Sequence, residues 1–201
     1  MSRKLFLAAL VVTAAVSAPA AAADFSFTGN LAGADDVAFF DFTLDSTSTV
    51  TLRTYSYAGG VNAAGATIAR GGFDPILALF NKSSGALIGQ NDDGGSLVPA
   101  DPNTGNQYDT YFSQSLAAGT YTVSISAFSN FAIGPNLSNG FSGGGNFMGR
   151  ESRWAFDVLG ANVATGPGGV PEPATWAMLI AGFGLAGAAI RGQHRAKVAF
   201  A

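Results

Sequence analysis

Gly119-Thr120-Tyr121-Thr122-Val123-Ser124-Ile125-Ser126-Ala127 is the stretch that decides the fold. Tyr121, Val123, Ile125 and Ala127 alternate with Thr122, Ser124 and Ser126. A period of two sends the apolar side chains to one face and the hydroxyls to the other, which is the pattern of a half-buried strand. Ala117-Ala118-Gly119 ahead of it reads as the turn that delivers it.

The same period extends in both directions along the chain. Phe25 and Phe27 alternate, and Phe40, Phe42 and Leu44 share one face of a strand that starts near Val37. Val50, Leu52 and Thr54 face one way in a third strand while Thr49, Thr51 and Arg53 face the other. Ile76-Leu77-Ala78-Leu79-Phe80 is apolar on both sides, as a strand inside a sandwich is. Trp154, Phe156 and Val158 mark a last strand. Between these runs lie Gly59-Gly60, Gly71-Gly72, Lys82-Ser83-Ser84-Gly85 and Asp93-Gly94-Gly95, all turn chemistry. Helical periodicity is not sustained in any window of this middle region. The expected fold is therefore all-β, about eight antiparallel strands in a jelly-roll-like β-sandwich. The glycine-rich connection over residues 130–150 reads as a binding surface or an insertion, and residues 161–169 as a Gly/Pro linker.

Both ends read differently. Arg3-Lys4, an apolar run over residues 5–16 and Ala21-Ala22-Ala23 before Asp24 form a secretory signal peptide with an A-x-A site, whose cleavage involves Ala21, Ala23 and Asp24. At the other end Pro171-Glu172-Pro173 is followed by an uncharged run over residues 174–190 and then by Arg191, Arg195 and Lys197. A helix of that length reaches roughly 25 Å, just enough to cross a bilayer, and the cations stop it there. Terminal helices thus flank the sandwich: a signal peptide at 1–23, the β-domain at 24–160, the linker at 161–169 and a sorting and membrane segment at 170–201.

Pro171, Glu172, Pro173, Trp176, the apolar run and the basic residues Arg191 and Arg195 resemble the PEP-CTERM sorting signal in its tryptophan-containing variant. The resemblance implies a protein exported from a Gram-negative cell through the secretion translocon. It implies transient anchoring in the inner membrane, cleavage near Pro-Glu-Pro by an exosortase-type membrane protease, and a final place at the cell surface or outside. A second resemblance covers about fifty residues of the middle. Phe73-Asp74-Pro75 with the following strand, Leu87-Ile88-Gly89-Gln90-Asn91-Asp92-Asp93-Gly94, Tyr108-Asp109 and Leu116-Ala117-Ala118-Gly119-Thr120-Tyr121 are similar to the bacterial pre-peptidase C-terminal domain. That family implies a small β-sandwich, appended to secreted enzymes, implicated in polysaccharide binding or secretion and in some members holding calcium.

Composition narrows the chemistry. Residues 24–169 carry twelve acidic side chains against five basic ones, a balance of −7, which repels nucleic acid and suits divalent cations. The chain has no cysteine, and its one histidine, His194, lies in the sorting segment. Residues 24–169 therefore contain no imidazole or thiol for a Ser-His-Asp triad, a histidine zinc site or a cysteine nucleophile. Ser83 beside Lys82 reads as a surface turn, and a glycoside hydrolase would have to work with aspartates and Glu151 alone.

The constellation with metal-binding character is Asp74, Asp92, Asp93 and Asp109. If strand 76–80 pairs in a hairpin with the segment ending at Asn91, their outer ends meet and the carboxylates cluster, and a hard cation such as calcium removes their repulsion. The bland alternative is a tight turn whose side chains cap backbone groups. Tyr55 and Tyr57, out of phase with Val50 and Leu52, read as facing solvent. Phe128, Phe131, Phe141 and Phe147 read as end-plugs or as platforms for sugar rings. The resulting expectation is a non-enzymatic exported surface or matrix protein associated with exopolysaccharide or biofilm. The alternatives are an aspartate-dependent glycoside hydrolase and a self-assembling surface component.

Overall fold

The structure is a computed structural model and describes residues 22–167. Its strands in chain order are β1 (Ala23–Asn30), β2 (Val37–Leu44), β3 (Ser48–Thr54), β4 (Gly60–Val61), β5 (Thr67–Ile68), β6 (Pro75–Asn81), β7 (Leu87–Asn91), β8 (Tyr111–Leu116), β9 (Gly119–Ala127), β10 (Arg153–Ala161) and β11 (Val163–Thr165). They form a four-stranded sheet in the order β1-β10-β3-β8, a five-stranded sheet in the order β11-β2-β9-β6-β7, and the small β4-β5 pair. All of these pairings are antiparallel, and the two larger sheets pack as a β-sandwich. Among the described residues no helix is long and apolar enough to cross a membrane.

Alternation along the strands becomes the core. β9 is the centre of the larger sheet, with Val123 opposite Phe40 on one side and Leu79 on the other. The inward residues Phe40, Phe42, Leu77, Leu79, Val123 and Ile125 meet Val50, Leu52, Phe156 and Val158 of the facing sheet, all buried. Phe40 lies 5.2 Å from Phe27, 4.9 Å from Phe156 and edge-on to Trp154 at 5.2 Å. Each such side chain contributes about 1.5–3 kcal/mol by leaving water.

Three expectations need correction. The hydroxyl face of β9 is not solvated: Thr122, Ser124 and Ser126 are buried. Residues 130–150 fold over that face, where Ala132, Leu137 and Phe141 pack on Ala78, Phe80 and Leu87 as a second small core. Ser126 Oγ donates to Asn130 O of that loop at 2.7 Å, while Thr122 Oγ1 donates to Asp41 Oδ1 at 2.7 Å and Ser124 Oγ to Ala78 O at 3.4 Å on the neighbouring strands. The linker expected at 161–169 holds a strand instead, β11, which pairs with β2. Gly166 beyond it sits so close to Phe27 and Phe40 that a Cβ there would come within 3.0 Å of their rings. Tyr55 and Tyr57 are buried: Gly60 lies against the Tyr55 ring, and the Tyr57 ring packs on Tyr108 and beneath the Arg150 guanidinium. Tyr55 donates to Asp157 Oδ2 at 2.9 Å, and the Ala63 N–H donates to the same oxygen at 2.8 Å.

Of the expected signal-peptide site, Ala21 lies outside the described residues, while Ala23 and Asp24 open β1. Pro171, Glu172, Pro173, Trp176, Arg191 and Arg195 lie outside the described residues as well.

Candidate cation and ligand site

Asp74 directly precedes β6, and Asp92 and Asp93 directly follow β7. Because these strands run antiparallel with Leu77 opposite Asn91, the entry of one meets the exit of the other. Thr110 fixes the junction: its hydroxyl lies between Pro75 O and Asp92 O, 2.6 Å from the latter, and its N–H donates to Thr54 Oγ1 at 2.8 Å. Asn91 Nδ2 donates to Tyr111 O at 2.9 Å and to Asp93 O at 3.2 Å, so the turn is held against β8.

The outcome is one carboxylate oxygen each from Asp74, Asp92 and Asp93, all within 4.8 Å of one another. Asp74 Oδ1 and Asp92 Oδ1 are shielded from solvent and have no hydrogen-bond partner. Burial, and then the charges of Asp92, Asp93 and Asp109, push the Asp74 carboxyl up to about 8. Burial and the neighbouring Asp93 raise Asp92 to about 6, and burial raises Asp93 as well. The cluster thus resists its own ionisation, which is the condition a bound cation relieves.

The donor set fits a hard cation. Oxygens that each lie about 2.3–2.6 Å from one calcium ion can stand no more than about 5 Å apart, and those of Asp74, Asp92 and Asp93 satisfy that limit. Orphaned oxygens on two of the three supply the unmet coordination. Three carboxylates leave part of the usual six to eight positions for water or for a ligand's oxygens.

Asp109 stands apart from this group. Its Oδ1 accepts from Thr54 Oγ1 at 3.0 Å and from the Tyr57 N–H at 3.1 Å, and its Oδ2 accepts from the Ala58 N–H at 2.8 Å. Those bonds stitch the exit of β3 to the loop before β8. Burial raises its carboxyl even so, and its charge acts on Asp74.

Beside the carboxylates opens a cavity of about 550 Å³, walled in part by Tyr108, Phe128 and Met148. Arg150 braces it, though nothing in the glycine-rich run around it signals that role. Its guanidinium donates to Gly72 O at 2.7 Å, to Tyr57 O at 2.6 Å and to Asp101 Oδ2 at 2.9 Å, and stacks 3.6 Å from the Tyr57 ring centroid. Burial pushes the Asp101 carboxyl up, but Arg150, Arg70 and the Asn103 and Thr104 N–H groups outweigh it and hold it well below the usual carboxylate range. Asp101-Pro102-Asn103 has the look of an Asx turn, so only its turn role was readable in the sequence. The loop aromatics divide: Phe141 packs on Phe80 and Phe147 on Phe73, whereas Phe128 stays 41% exposed at the cavity with Phe131 edge-on to it.

The other catalytic candidates are otherwise engaged. Lys82 Nζ pairs with Asp41 at 2.6 Å while Ser83 donates to Asn81, and Glu151 pairs with Arg153.

A search of curated protein sequences returns no match to this chain. Among solved structures the chain is similar to the pre-peptidase C-terminal domain of collagenase from Bacillus anthracis, at 11% identity and a TM-score of 0.34, over 68% of this chain and 88% of that one. Residues 169–195 match the PEP-CTERM protein-sorting motif, the kind of signal processed by exosortase in the membrane, and the protein is accordingly an exported one.

Proposed function

We propose that the exported domain is a non-enzymatic surface or matrix protein that holds calcium on Asp74, Asp92 and Asp93 and associates with exopolysaccharide through that end of the sandwich. The observation that carries the reading is the meeting of three carboxylates, two with orphaned oxygens, beside an aromatic-walled cavity. In support, residues 24–169 lack histidine and cysteine, and the chain carries an export signal. The test is retention of the purified protein on matrix polysaccharide in millimolar calcium and in chelator, with melting curves under both conditions. Retention and a midpoint a few degrees higher in calcium are expected; no retention in either condition overturns the reading.

One observation favours the second reading, an aspartate-dependent glycoside hydrolase. Asp74, raised to about 8, keeps its proton at neutral pH as a general acid does, and its neighbours' oxygens lie within 4.8 Å. Retaining glycosidases set their two carboxyl groups roughly 5–5.5 Å apart. Release of reducing sugar by the protein in chelator, lost in Asp74→Asn, would establish this reading over the first.

A further inference from the structure

The cavity is lined by two unlike sets of groups, the carboxylates of Asp74, Asp92 and Asp93 and, with them, the rings of Tyr108 and Phe128 and the side chain of Met148. Phe128 is 41% and Met148 73% exposed, large apolar groups held in water beside an acidic cluster. Met148 also has φ +52, a left-handed conformation that costs a non-glycine residue energy, and Asn146 Oδ1 holds it there by accepting the Met148 N–H at 2.7 Å. The volume, about 550 Å³, falls within the usual range for small-molecule sites.

The one cation among its described walls, Arg150, donates through Nε and Nη2 to Gly72 O, Tyr57 O and Asp101 and lays its face on the Tyr57 ring. Its charge is already paired with Asp101, and the neighbouring carboxylates repel an anionic group. A ligand suited to these walls has an apolar face for the rings and vicinal hydroxyls for the open positions of a bound cation. A pyranose ring without a carboxylate has both.

Building on the calcium reading above, we propose that this cavity is a subsite for a neutral sugar residue of a polysaccharide. Two ring hydroxyls enter the coordination of the cation on Asp74, Asp92 and Asp93, with water taking the remaining positions, while the apolar face of the ring stacks on Phe128 and Tyr108 beside Met148. Neutral hexoses are selected over uronic acids, because the three carboxylates outweigh the charge of the bound ion and leave the cavity net negative, with no free cationic side chain among its described walls.

The experiment uses the full chain in detergent, titrated calorimetrically with calcium chloride, and then in calcium with methyl glucoside, galactoside and mannoside and with methyl glucuronide. At least one neutral glycoside binds at millimolar concentration, EGTA abolishes that binding, and the glucuronide binds at least fivefold more weakly. Phe128→Ala weakens the glycoside at least tenfold, with its calcium titration run alongside. Met148→Gly, which suits φ +52 better than methionine does, weakens the glycoside severalfold without lowering the melting point. Calcium binding without any neutral glycoside binding overturns the subsite and leaves the cation reading standing. Absence of calcium binding overturns both, and so does glycoside binding that EGTA does not touch, for the cation's part in it.

Discussion

Replacing Asp74 by asparagine tests the electrostatic reading of the site where it is most exposed to failure. The carboxyl moves from 3.8 to about 8, through burial first and then Asp92, Asp93 and Asp109. A carboxyl whose folded value is raised stays protonated in the fold while the unfolded chain has already ionised. Its contribution to stability is thus fully present below pH 3.8 and drains away as the pH rises through about 8. A shift of that size in a sealed site would be worth several kcal/mol, of which roughly half falls above pH 6; Asp74 is only part-buried, and screening reduces that half to about 1–2 kcal/mol. At roughly 2–4 °C per kcal/mol for a domain of this size, that is about 2–8 °C. Melting in chelator between pH 6 and pH 9 should therefore show the wild type falling by that amount relative to Asp74→Asn, with the variant the more stable of the two at pH 9. The window opens where Asp92, raised to about 6, is completing its ionisation, a titration present in both proteins. It also avoids Asp101, whose lowered value gives stability that is lost only at acid pH. Groups that titrate alike in both proteins cancel in the difference. Parallel curves from pH 6 to pH 9 would refute the argument.

Calcium binding at pH 7 should release about one proton per ion, because Asp74 with a value of about 8 is mostly protonated there. Calorimetry in two buffers of different ionisation enthalpy measures it, and no release would mean that Asp74 is not a ligand. Arg150→Ala removes donors to Asp101, Tyr57 O and Gly72 O and leaves Asp101, 1% exposed, with half its charge partners. A loss of about 3 kcal/mol in urea unfolding is expected, and under 1 kcal/mol would show that the brace is idle. Gly29→Ala pushes a methyl into the Trp154 ring, which lies directly over Gly29. It should cost about 1–3 kcal/mol with an unchanged m-value, and a neutral result would mean that Trp154 can move aside freely.

The sandwich was legible because its strands carry their partners' instructions in a period of two. Residues 119–127 read correctly as a strand, yet the same alternation could not say that the hydroxyl face is covered, since serine and threonine look alike whether they meet water or the Asn130 carbonyl. β11 was hidden for the opposite reason: three residues, Val163–Thr165, between glycines offer too little pattern to stand out from a linker. Asp74, Asp92 and Asp93 were found together because a hairpin joins segments only a few residues apart, and hairpin ends follow from sequence order. Asp109 was grouped with them as a further carboxylate, whereas its partners, Thr54, Tyr57 and Ala58, come from about fifty residues upstream. Arg150 and Met148 lay beyond reach, because a glycine-rich run has no period from which to infer which side chains turn inward.

The arithmetic of the site also bears on what the cation is for. If the affinity is that of extracellular calcium modules, about 10⁻⁴–10⁻³ M, then one millimolar calcium adds only about 0.4–1.4 kcal/mol to the folded state. A domain of this size has roughly 5–15 kcal/mol of net stability, and here it comes from two sheets closed over Phe40, Phe42, Phe156 and their neighbours. The ion is thus too weakly coupled to be what holds the sandwich together. Chelation should leave the far-ultraviolet dichroism and the sheet amide protection unchanged, while amide exchange speeds up only in the segments around Asp92, Tyr108 and Met148. Global unfolding on chelation would reverse the conclusion, making the cation part of the fold and leaving the cavity beside it without a reason to keep Phe128 and Met148 in water.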